Sequence, residues 1–209
     1  MPKSAKATYT FLLFLGYLGV YFLIQSFVKN NQIELLTVLD KNIPFIPGFV
    51  WVYHTLILGI FLTMVYLIQD RKLFMTTFWA CMLASAVMSI IHITWPAVYP
   101  RQAIMPIDLS SWLVELTRQY DEASNTFPSA HVTFSWLMFL SVRRTKLSHE
   151  KPGLTLVFFL WAVVISLSTL AIKQHFLMDV LSGILTSFMS FYVSVLFIGR
   201  HKLLRPTYL

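Results

Sequence analysis

Two histidines in the second half of the chain, His131 and His175, have polar neighbours at short spacing. Asp179 follows His175 by four residues, so the two share one helix face if a helix begins at or before His175. The carboxylate can then accept a hydrogen bond from one imidazole nitrogen and leave the other free to attack an electrophile. An oriented histidine nucleophile is therefore the first hypothesis.

The run Pro128-Ser129-Ala130-His131 adds a second group of polar residues. Proline and serine ahead of a helix leave the backbone N–H groups of its first turn unpaired, and such a terminus attracts phosphate oxygens. A serine hydroxyl and backbone amides, together with Arg101 and Lys173, would surround a phosphate dianion. His131 would protonate a departing alkoxide. These are the components of a phosphoryl-transfer site.

Long apolar runs must position these groups. The 209 residues are 57% hydrophobic and 12% charged, whereas a soluble domain usually has about 25% charged residues. Several runs approach the roughly 20 residues that a helix needs to cross about 30 Å of hydrocarbon. The sequence therefore predicts an all-α, polytopic membrane protein with a bundle of six transmembrane helices, at about residues 8–28, 48–69, 73–95, 126–142, 153–172 and 176–199.

The fourth of these runs is the shortest, because 11 residues lie between His131 and Arg143. A helix that crosses the membrane there is expected to begin near Asn125. The first run is longer than the roughly 7 to 15 apolar residues of a cleaved signal, so it is interpreted as an uncleaved first helix. With no soluble segment left over, residues 1–209 are expected to form a single integral membrane domain.

The loop between the third and fourth helices contains apolar residues at roughly helical spacing, namely Trp112, Leu113, Leu116 and Tyr120. Either Ser110 or Ser111 could cap a short helix in this loop. Such a helix would lie at the membrane interface. Two interpretations stay open: the helix rests on the membrane surface, or it acts as a lid that admits lipid.

The basic residues divide unevenly between the two faces that six crossings define. Eleven of the 16 lysines and arginines fall on the face of the two termini. They are Lys3, Lys6, Arg71, Lys72, Arg143, Arg144, Lys146, Lys151, Arg200, Lys202 and Arg205. The other five are Lys29, Lys41, Arg101, Arg118 and Lys173. The positive-inside rule then places the termini in the cytoplasm and the histidines on the periplasmic or exterior face, in an integral membrane location typical of a compact bacterial inner-membrane protein.

Three segments of the chain resemble the motifs of the type 2 phosphatidic acid phosphatase superfamily of membrane enzymes. The second motif of the family, Pro-Ser-Gly-His, is matched by Pro128-Ser129-Ala130-His131. The third motif, Ser-Arg, five residues, His, three residues, Asp, is matched by Ser168-Thr169 with His175 and Asp179. The first motif, Lys, six residues, Arg-Pro, retains only Arg101, since Thr94 and Gln102 occupy its other positions.

The resemblance implies a fold of six helices whose motifs converge on one face of the membrane, and the activity of a lipid-phosphate phosphatase that needs no metal. It implies that His175 is the nucleophile that takes the phosphoryl group. Asp179 would orient this imidazole, and His131 would be the acid that releases the lipid alcohol. Water would then attack the phosphohistidine.

The resemblance also implies how the phosphate is bound. Ser129 and the amide of Ala130 would hold the phosphoryl oxygens, while Arg101 and Lys173 would neutralise their charge. Two cations that the family carries are missing here, because threonine replaces them at positions 94 and 169. Lys173, two residues before the nucleophile, would compensate in part.

Two other functions stay open. The phosphohistidine could pass its group to an alcohol, as in the sphingomyelin and inositol phosphorylceramide synthases, which the chain also resembles. Alternatively, the protein could bind or transport a lipid phosphate without catalysis. The identity of the lipid is open among phosphatidate, phosphatidylglycerophosphate, polyprenyl phosphates and lipid A.

No cofactor or metal is expected, because the loop carboxylates are scattered and the single cysteine, Cys81, lies in an apolar run. Those loop carboxylates are Glu115, Asp121 and Glu122. The expected partners are the lipid phosphate and the surrounding membrane lipids. A nucleic-acid partner is not expected, since the basic residues form short clusters between apolar runs rather than one polar face.

Overall fold

The computed structural model of the protein describes residues 1–27, 33–101 and 103–200. Helices joined by turns and loops form this part of the chain, with two isolated β-bridges. The helices are α1 (Lys3–Phe27), α2 (Val38–Asn42), α3 (Val50–Tyr53), α4 (Thr55–Phe61), α5 (Arg71–Thr94), α6 (Leu109–Tyr120), α7 (Ala130–Val142), α8 (Lys146–Glu150), α9 (Pro152–Ala171) and α10 (Leu177–Arg200). Some residues used in the sequence predictions, Lys29, Gln102, Lys202 and Arg205, lie outside the described residues.

Within the described residues, five helical segments are long and apolar enough to cross a membrane: Lys3–Phe27, Pro47–Leu67, Arg71–Thr94, Pro152–Ala171 and Leu177–Ile198. The second of these joins a 3₁₀ turn, α3, α4 and a π-helical end. Large apolar side chains on the outside of the bundle are exposed, as at Leu23 with 57%. Such a surface is stable against lipid and unfavourable against water. The prediction of an all-α, polytopic membrane protein is therefore confirmed.

The shorter apolar helix α7 begins at Ala130, so the prediction that it starts near Asn125 is wrong. Pro128 has no N–H group and disfavours helical geometry in the residue before it. Asn125 itself adopts a left-handed conformation with φ 60°. The segment 125–129 is therefore a loop, and α7 follows directly after it.

A helix forms in the loop between α5 and α7, as predicted, but neither predicted serine caps it. The N-cap of α6 is Asp108, whose carboxylate accepts a hydrogen bond of 2.7 Å from the backbone N–H of Ser111. Hydrogen bonds from the Ser111 backbone and hydroxyl hold the pKa of Asp108 below its usual value. Ser110 instead accepts a hydrogen bond from the Trp51 indole, at 3.1 Å. Aspartate is favoured over serine here because its charge also stabilises the positive end of the helix dipole.

The loops at one end of the bundle are tied together by backbone hydrogen bonds. Ile33, after α1, pairs with Ala97, after α5, and Val98 pairs with Ser124, just before α7. The N–H of Thr126 donates to the carbonyl of Ala97 at 3.3 Å. These contacts hold the segment that precedes α7 over the ends of the neighbouring helices.

Helix α7 packs against α9 and α10 in the interior of the bundle. Ten of its 13 residues are buried. Side-chain hydrogen bonds link it to its neighbours, from the Trp136 indole to the Ser166 hydroxyl at 3.1 Å and from the Thr77 hydroxyl to the Ser141 hydroxyl at 2.9 Å. The N-terminus of α7 is thus held in a fixed position beside the start of α10.

Candidate active site

The N-terminus of α7 offers unpaired hydrogen-bond donors. Ser129 is its N-cap residue, yet the Ser129 side chain makes no capping hydrogen bond. The Ser129 hydroxyl is buried, and it has no hydrogen-bond partner among the described residues. The first N–H groups of any α-helix lack partners within the helix. Because α7 is not capped by Ser129, this terminus is suited to bind an anion.

The imidazole of His175 is held through one of its two nitrogens. Its Nδ1 lies 3.0 Å from the carbonyl oxygen of Thr126 and 3.2 Å from Oδ2 of Asp179. Both partners are acceptors, so Nδ1 carries the proton and Nε2 keeps its lone pair. The predicted contact between His175 and Asp179 is present, and the Thr126 carbonyl is an additional partner that the motif does not include.

Asp179 is fully buried and is fixed by the start of α10. The helix begins at Leu177, so Asp179 occupies its third position and accepts a hydrogen bond of 2.9 Å from the N–H of Phe176. A carboxylate at this position reaches back to the N-cap residue, which is half of a capping box. The carboxylate of Asp40 accepts from the N–H of Leu177 at 2.7 Å. The helix start thus positions the carboxylate that holds His175.

The turn between α9 and α10 brings His175 to this place. Lys173 adopts a left-handed conformation with φ 57°. The N–H groups of Gln174 and His175 both donate to the carbonyl of Thr169, at 3.0 and 3.2 Å. Although His175 lies before the first residue of α10, the compact turn still brings its ring to the carboxylate of Asp179.

The second and third motif segments are joined directly by a backbone hydrogen bond. The N–H of Ser129 donates to the carbonyl of Asp179 at 3.1 Å. One turn further along, α10 passes α7 so closely that a Cβ on Gly183 would lie 2.9 Å from the Ser129 carbonyl oxygen and 3.1 Å from Cβ of Val132. The absence of a side chain at Gly183 therefore sets the distance between the two motif segments.

His131 and His175 line the same cavity, which has a volume of about 340 Å³. The cavity lies between α1, α4, α6 and the start of α7. The His131 ring stacks on Tyr53, with ring centroids 3.7 Å apart and an angle of 19° between the planes. The stacking fixes the orientation of the His131 imidazole. The structure therefore brings the two predicted imidazoles to one cavity.

Arg101 lies beside the site but does not line this cavity. Its guanidinium donates to the backbone carbonyls of Arg118, Asp121 and Glu122 and to the side-chain oxygen of Gln174. Burial lowers the pKa of Arg101, while the nearby carboxylate of Asp121 acts in the opposite direction. These contacts hold the loop after α6 against the turn that carries His175.

Lys173 points away from the two histidines. Its ammonium group donates to the carbonyls of Asp40, at 3.1 Å, and of Ile43. It lines a second cavity of about 840 Å³, which Arg118 also lines. Burial lowers the pKa of Lys173, and Asp40 partly opposes this effect. The structure therefore does not bring Lys173 to the cavity of the histidines.

The two threonines that replace family cations bond to their own helices. The Thr94 hydroxyl donates to the carbonyl of Ile90 at 2.8 Å, and the Thr169 hydroxyl donates to the carbonyl of Ser166 at 2.8 Å. Neither residue lines the cavity of the histidines. Both hydroxyl groups thus have a hydrogen-bond partner within the protein.

Among the polar residues of the cavity that sequence reasoning missed is Asp121. It directly follows α6 and lines the cavity together with His131 and His175. Its Oδ1 accepts a hydrogen bond of 2.6 Å from the hydroxyl of Tyr21, which is 100 positions away in the chain. Because neither residue belongs to a motif, the sequence carries no local signal for this contact.

A third histidine near the candidate site, His92, is buried in α5. Its ring meets the edge of the Tyr21 ring, with centroids 6.2 Å apart. His92 therefore packs in the interior of the bundle.

A comparison with protein-family models identifies the family of the chain. Residues 31–193 match a model described as the PAP2 superfamily. Neither the comparison with curated proteins nor the comparison with solved structures returned a match. The matched residues include both histidines and Asp179, and they cover well over half of the 209 residues. The chain therefore belongs to the PAP2 superfamily, the type 2 phosphatidic acid phosphatase superfamily.

Proposed function

We propose that the protein is a membrane enzyme that hydrolyses a lipid phosphate or pyrophosphate through a phosphohistidine at His175. One observation carries the proposal: His131 and His175 line one cavity beside a helix N-terminus that lacks a side-chain cap. Phosphoryl transfer needs a nucleophile, an acid and donors for the phosphoryl oxygens, and this arrangement supplies all three. Membership of the PAP2 superfamily is consistent with a phosphate-ester substrate.

The phosphate group is proposed to bind at the start of α7. The Ser129 hydroxyl, which has no partner among residues 1–27, 33–101 and 103–200, would donate to one phosphoryl oxygen. The N–H of Ala130 and the positive end of the helix dipole would stabilise the others. Direct contact of Arg101 or Lys173 with phosphate would require them to leave their present carbonyl partners. In their present positions both contribute positive charge from a distance.

In the first step, Nε2 of His175 attacks phosphorus and the bond between phosphorus and the lipid oxygen breaks. The departing alkoxide takes a proton from the protonated imidazole of His131. The attack makes the His175 ring positive. Its Nδ1–H stays hydrogen-bonded to the carboxylate of Asp179, which stabilises that charge.

In the second step, water attacks the phosphohistidine and the bond between phosphorus and Nε2 breaks. His131, now neutral, accepts the proton of the water. His175 recovers its lone pair, and the products are inorganic phosphate and a lipid alcohol. Each imidazole returns to its starting state, so no further reactant is required.

The cavity walls suit a lipid tail. Phe14, Leu18 and Phe22 of α1 line one side, and Ile57 of α4 lines another. Phe22 and Ile57 are 46% and 48% exposed on the outside of the bundle. A lipid tail could therefore enter sideways from the membrane, between α1 and α4, while its phosphate reaches the histidines.

We further propose that α7 is a sixth crossing. Its 13 residues extend about 20 Å, less than the roughly 30 Å of the hydrocarbon. The loop 125–129 lies inside the protein, where non-helical backbone is tolerated at membrane depth. Six crossings place both termini on one side. The distribution of basic residues supports a cytoplasmic position for the termini and a non-cytoplasmic position for the histidines, in a bacterial inner membrane.

Release of phosphate from lipid substrates tests the proposed function. Purified protein in detergent micelles is expected to release inorganic phosphate from at least one of phosphatidate, phosphatidylglycerophosphate and a polyprenyl phosphate. We expect the rate to be unchanged in EDTA, because the proposed chemistry uses imidazoles. Among the described residues, no group of three or more His, Cys, Asp or Glu side chains could hold a metal ion.

Two results would contradict this account. Absence of phosphate release from every lipid in the panel would contradict the proposed activity. Loss of activity in EDTA with recovery on adding a divalent cation would contradict the proposed mechanism.

Gly183→Ala is expected to lower the rate of phosphate release by about tenfold to a hundredfold, because a shift near 1 Å in a catalytic group has effects of that size. The new Cβ would lie 2.9 Å from the Ser129 carbonyl oxygen and push α10 away from α7. Gly16→Ala in α1 is the matched control, since its Cβ would meet nothing within 4 Å. The initial rate of phosphate release is measured for both variants. An unchanged rate in Gly183→Ala would show that the α7–α10 contact does not set the geometry of the site.

A further inference from the structure

The carboxyl group of Asp121 faces the two proposed reacting histidines across one cavity. Its hydrogen bond from Tyr21, at 2.6 Å, is the only one to this side chain among the described residues. The carboxyl is close enough to His175 for their charges to interact. Asp121 therefore retains capacity to accept a hydrogen bond from a molecule in the cavity.

The cavity that is proposed to bind phosphate has a carboxylate in its wall, so it places a negative charge near a negatively charged ligand. No lysine or arginine is among the described residues that line it. Arg101 and Lys173 are hydrogen-bonded elsewhere. The start of α7 can receive one phosphate group, but a second one would lie near the carboxylate of Asp121, and Arg101, the nearby cation, is already hydrogen-bonded to backbone carbonyls, one of them that of Asp121. Like charges placed together in this way are strongly unfavourable.

A second polar group lies beside Asp121. Tyr17 lines the same cavity, and its hydroxyl is buried and has no hydrogen-bond partner in the described part of the chain. The rings of Tyr17 and Tyr21 are 6.0 Å apart. Tyr17 can donate a hydrogen bond and Asp121 can accept one, which is the complement of a single alcohol hydroxyl.

Burial affects how strongly Asp121 accepts. It raises the pKa of this carboxyl, while the hydrogen bond from Tyr21 and the charge of Arg101 act in the opposite direction. The more basic a carboxylate is, the better it accepts a proton or a hydrogen bond. A neutral hydroxyl can donate to it without adding negative charge.

We propose that Asp121 and Tyr17 bind an alcohol hydroxyl beside the reacting phosphate, so that the preferred substrates are monophosphates with a neighbouring hydroxyl rather than pyrophosphates. The proposal rests on the proposed function, which it narrows. The hydroxyl can belong to the departing lipid alcohol or to an alcohol that accepts the phosphoryl group from His175. Both sources present the same group to Asp121.

A pair of lipids that differ in one hydroxyl tests the proposal. The first is 1-oleoyl lysophosphatidate, and the second is the same ester without its free hydroxyl. For the wild-type protein, kcat/KM is expected to be at least about tenfold higher for the first lipid, because a site built around a hydroxyl is left with unpaired groups when the hydroxyl is missing. A prenyl pyrophosphate is expected to react more slowly than either.

Variants assign the preference to its residues. Asp121→Ala is expected to bring the ratio between the two lipids close to one, and Tyr17→Phe, which removes only an oxygen, to lower it several-fold. Glu122→Gln is the matched control, because its exposed carboxylate is adjacent in sequence and does not line the cavity. A preference that survives unchanged in Asp121→Ala and Tyr17→Phe would overturn the assignment.

A reaction with an added alcohol separates the two sources of the hydroxyl, which are the departing lipid alcohol and an acceptor alcohol. Glycerol is added to reactions with the lipid that lacks the hydroxyl, and glycerol phosphate is measured. Its formation by wild type but not by Asp121→Ala assigns the site to an acceptor alcohol. If wild type neither prefers the hydroxyl lipid nor forms glycerol phosphate, the proposal is wrong.

Binding separates this proposal from the proposed function. Both lipids are titrated into His175→Ala, in which affinity is measured without turnover. Tighter binding of the hydroxyl lipid that depends on Asp121 would support the hydroxyl site even if the wild type released no phosphate, a result that would reject only the enzymatic proposal. Equal affinities would overturn the hydroxyl site even if phosphate release were normal.

Discussion

Replacing His175 by alanine is expected to lower the rate of phosphate release by at least about a thousandfold, the scale of effect seen when a covalent nucleophile is removed. The variant lacks Nε2, the atom proposed to attack phosphorus. No other imidazole among the described residues makes the hydrogen bonds to Thr126 and Asp179 that orient His175. Initial rates of phosphate release from a lipid phosphate measure the effect. The loss should appear in kcat rather than in KM, because the start of α7 remains to bind phosphate.

The control for this prediction is His149→Ala. His149 lies on the short helix α8 and is exposed, so its removal should leave the rate unchanged. Equal thermal unfolding of the two purified variants would exclude a general loss of structure. If His175→Ala kept a rate within about tenfold of wild type, His175 would not be the nucleophile.

His131→Ala is expected to have an effect that depends on the leaving group. With a lipid alcohol, whose alkoxide is a poor leaving group, the rate should fall by about a hundredfold to ten-thousandfold, the range typical of a missing general acid. The comparison substrate, a nitrophenyl phosphate lipid, is a phosphate monoester of a nitrophenol that carries the alkyl chain. Its nitrophenolate leaves without a proton, so the first step should remain fast. The second step stays slow because water still lacks its base.

This difference predicts a burst. In the first seconds the variant should release about one nitrophenol for each protein molecule and then react slowly, since the phosphohistidine accumulates. Rapid-mixing absorbance measures the burst. Absence of a burst, with equal losses in the rate of the first step for both leaving groups, would indicate that His131 positions the substrate rather than transferring protons.

Much of the fold could be predicted from the apolar runs. Five long runs correspond to the five helices that, in the part of the chain that the structure describes, are capable of crossing a membrane, because the length of each is set by the thickness of the hydrocarbon. The start of α7 was placed wrongly because the length needed to cross the hydrocarbon was assumed to be entirely helical, whereas α7 begins only at Ala130. Pro128 prevents α7 from beginning earlier in the chain, and the loop before α7 is held by hydrogen bonds to distant backbone groups.

The predicted contact between His175 and Asp179 is present, although its geometry differs from the prediction. The spacing of four residues assumes a continuous helix, whereas α10 begins after His175 and a tight turn brings the two side chains together. The Thr126 carbonyl that shares the Nδ1 proton comes from a segment 49 positions earlier. No local pattern predicts that contact, since it depends on docking α7 against α10.

The contacts of charged residues outside the helices were the hardest feature to predict from the sequence. Arg101 and Lys173 were assigned to phosphate from their charge and position, but unpaired backbone carbonyls at the loop ends compete for the same donors. Asp121 was treated as a scattered loop carboxylate. Its position depends on the packing of α1 against the loop after α6, which brings Tyr21 to it. The roles of these groups in phosphate binding stay predictions.

Locating the phosphoryl group on the protein tests the central claim most directly. His131→Ala is mixed with the nitrophenyl phosphate lipid, stopped in alkali during the burst, digested and examined by mass spectrometry. We expect phosphate on the peptide that contains His175, bound to its imidazole, and none on that peptide when His175 is also replaced by alanine. A burst with the phosphoryl group on another residue, or with no phosphorylated peptide, would contradict a phosphohistidine at His175.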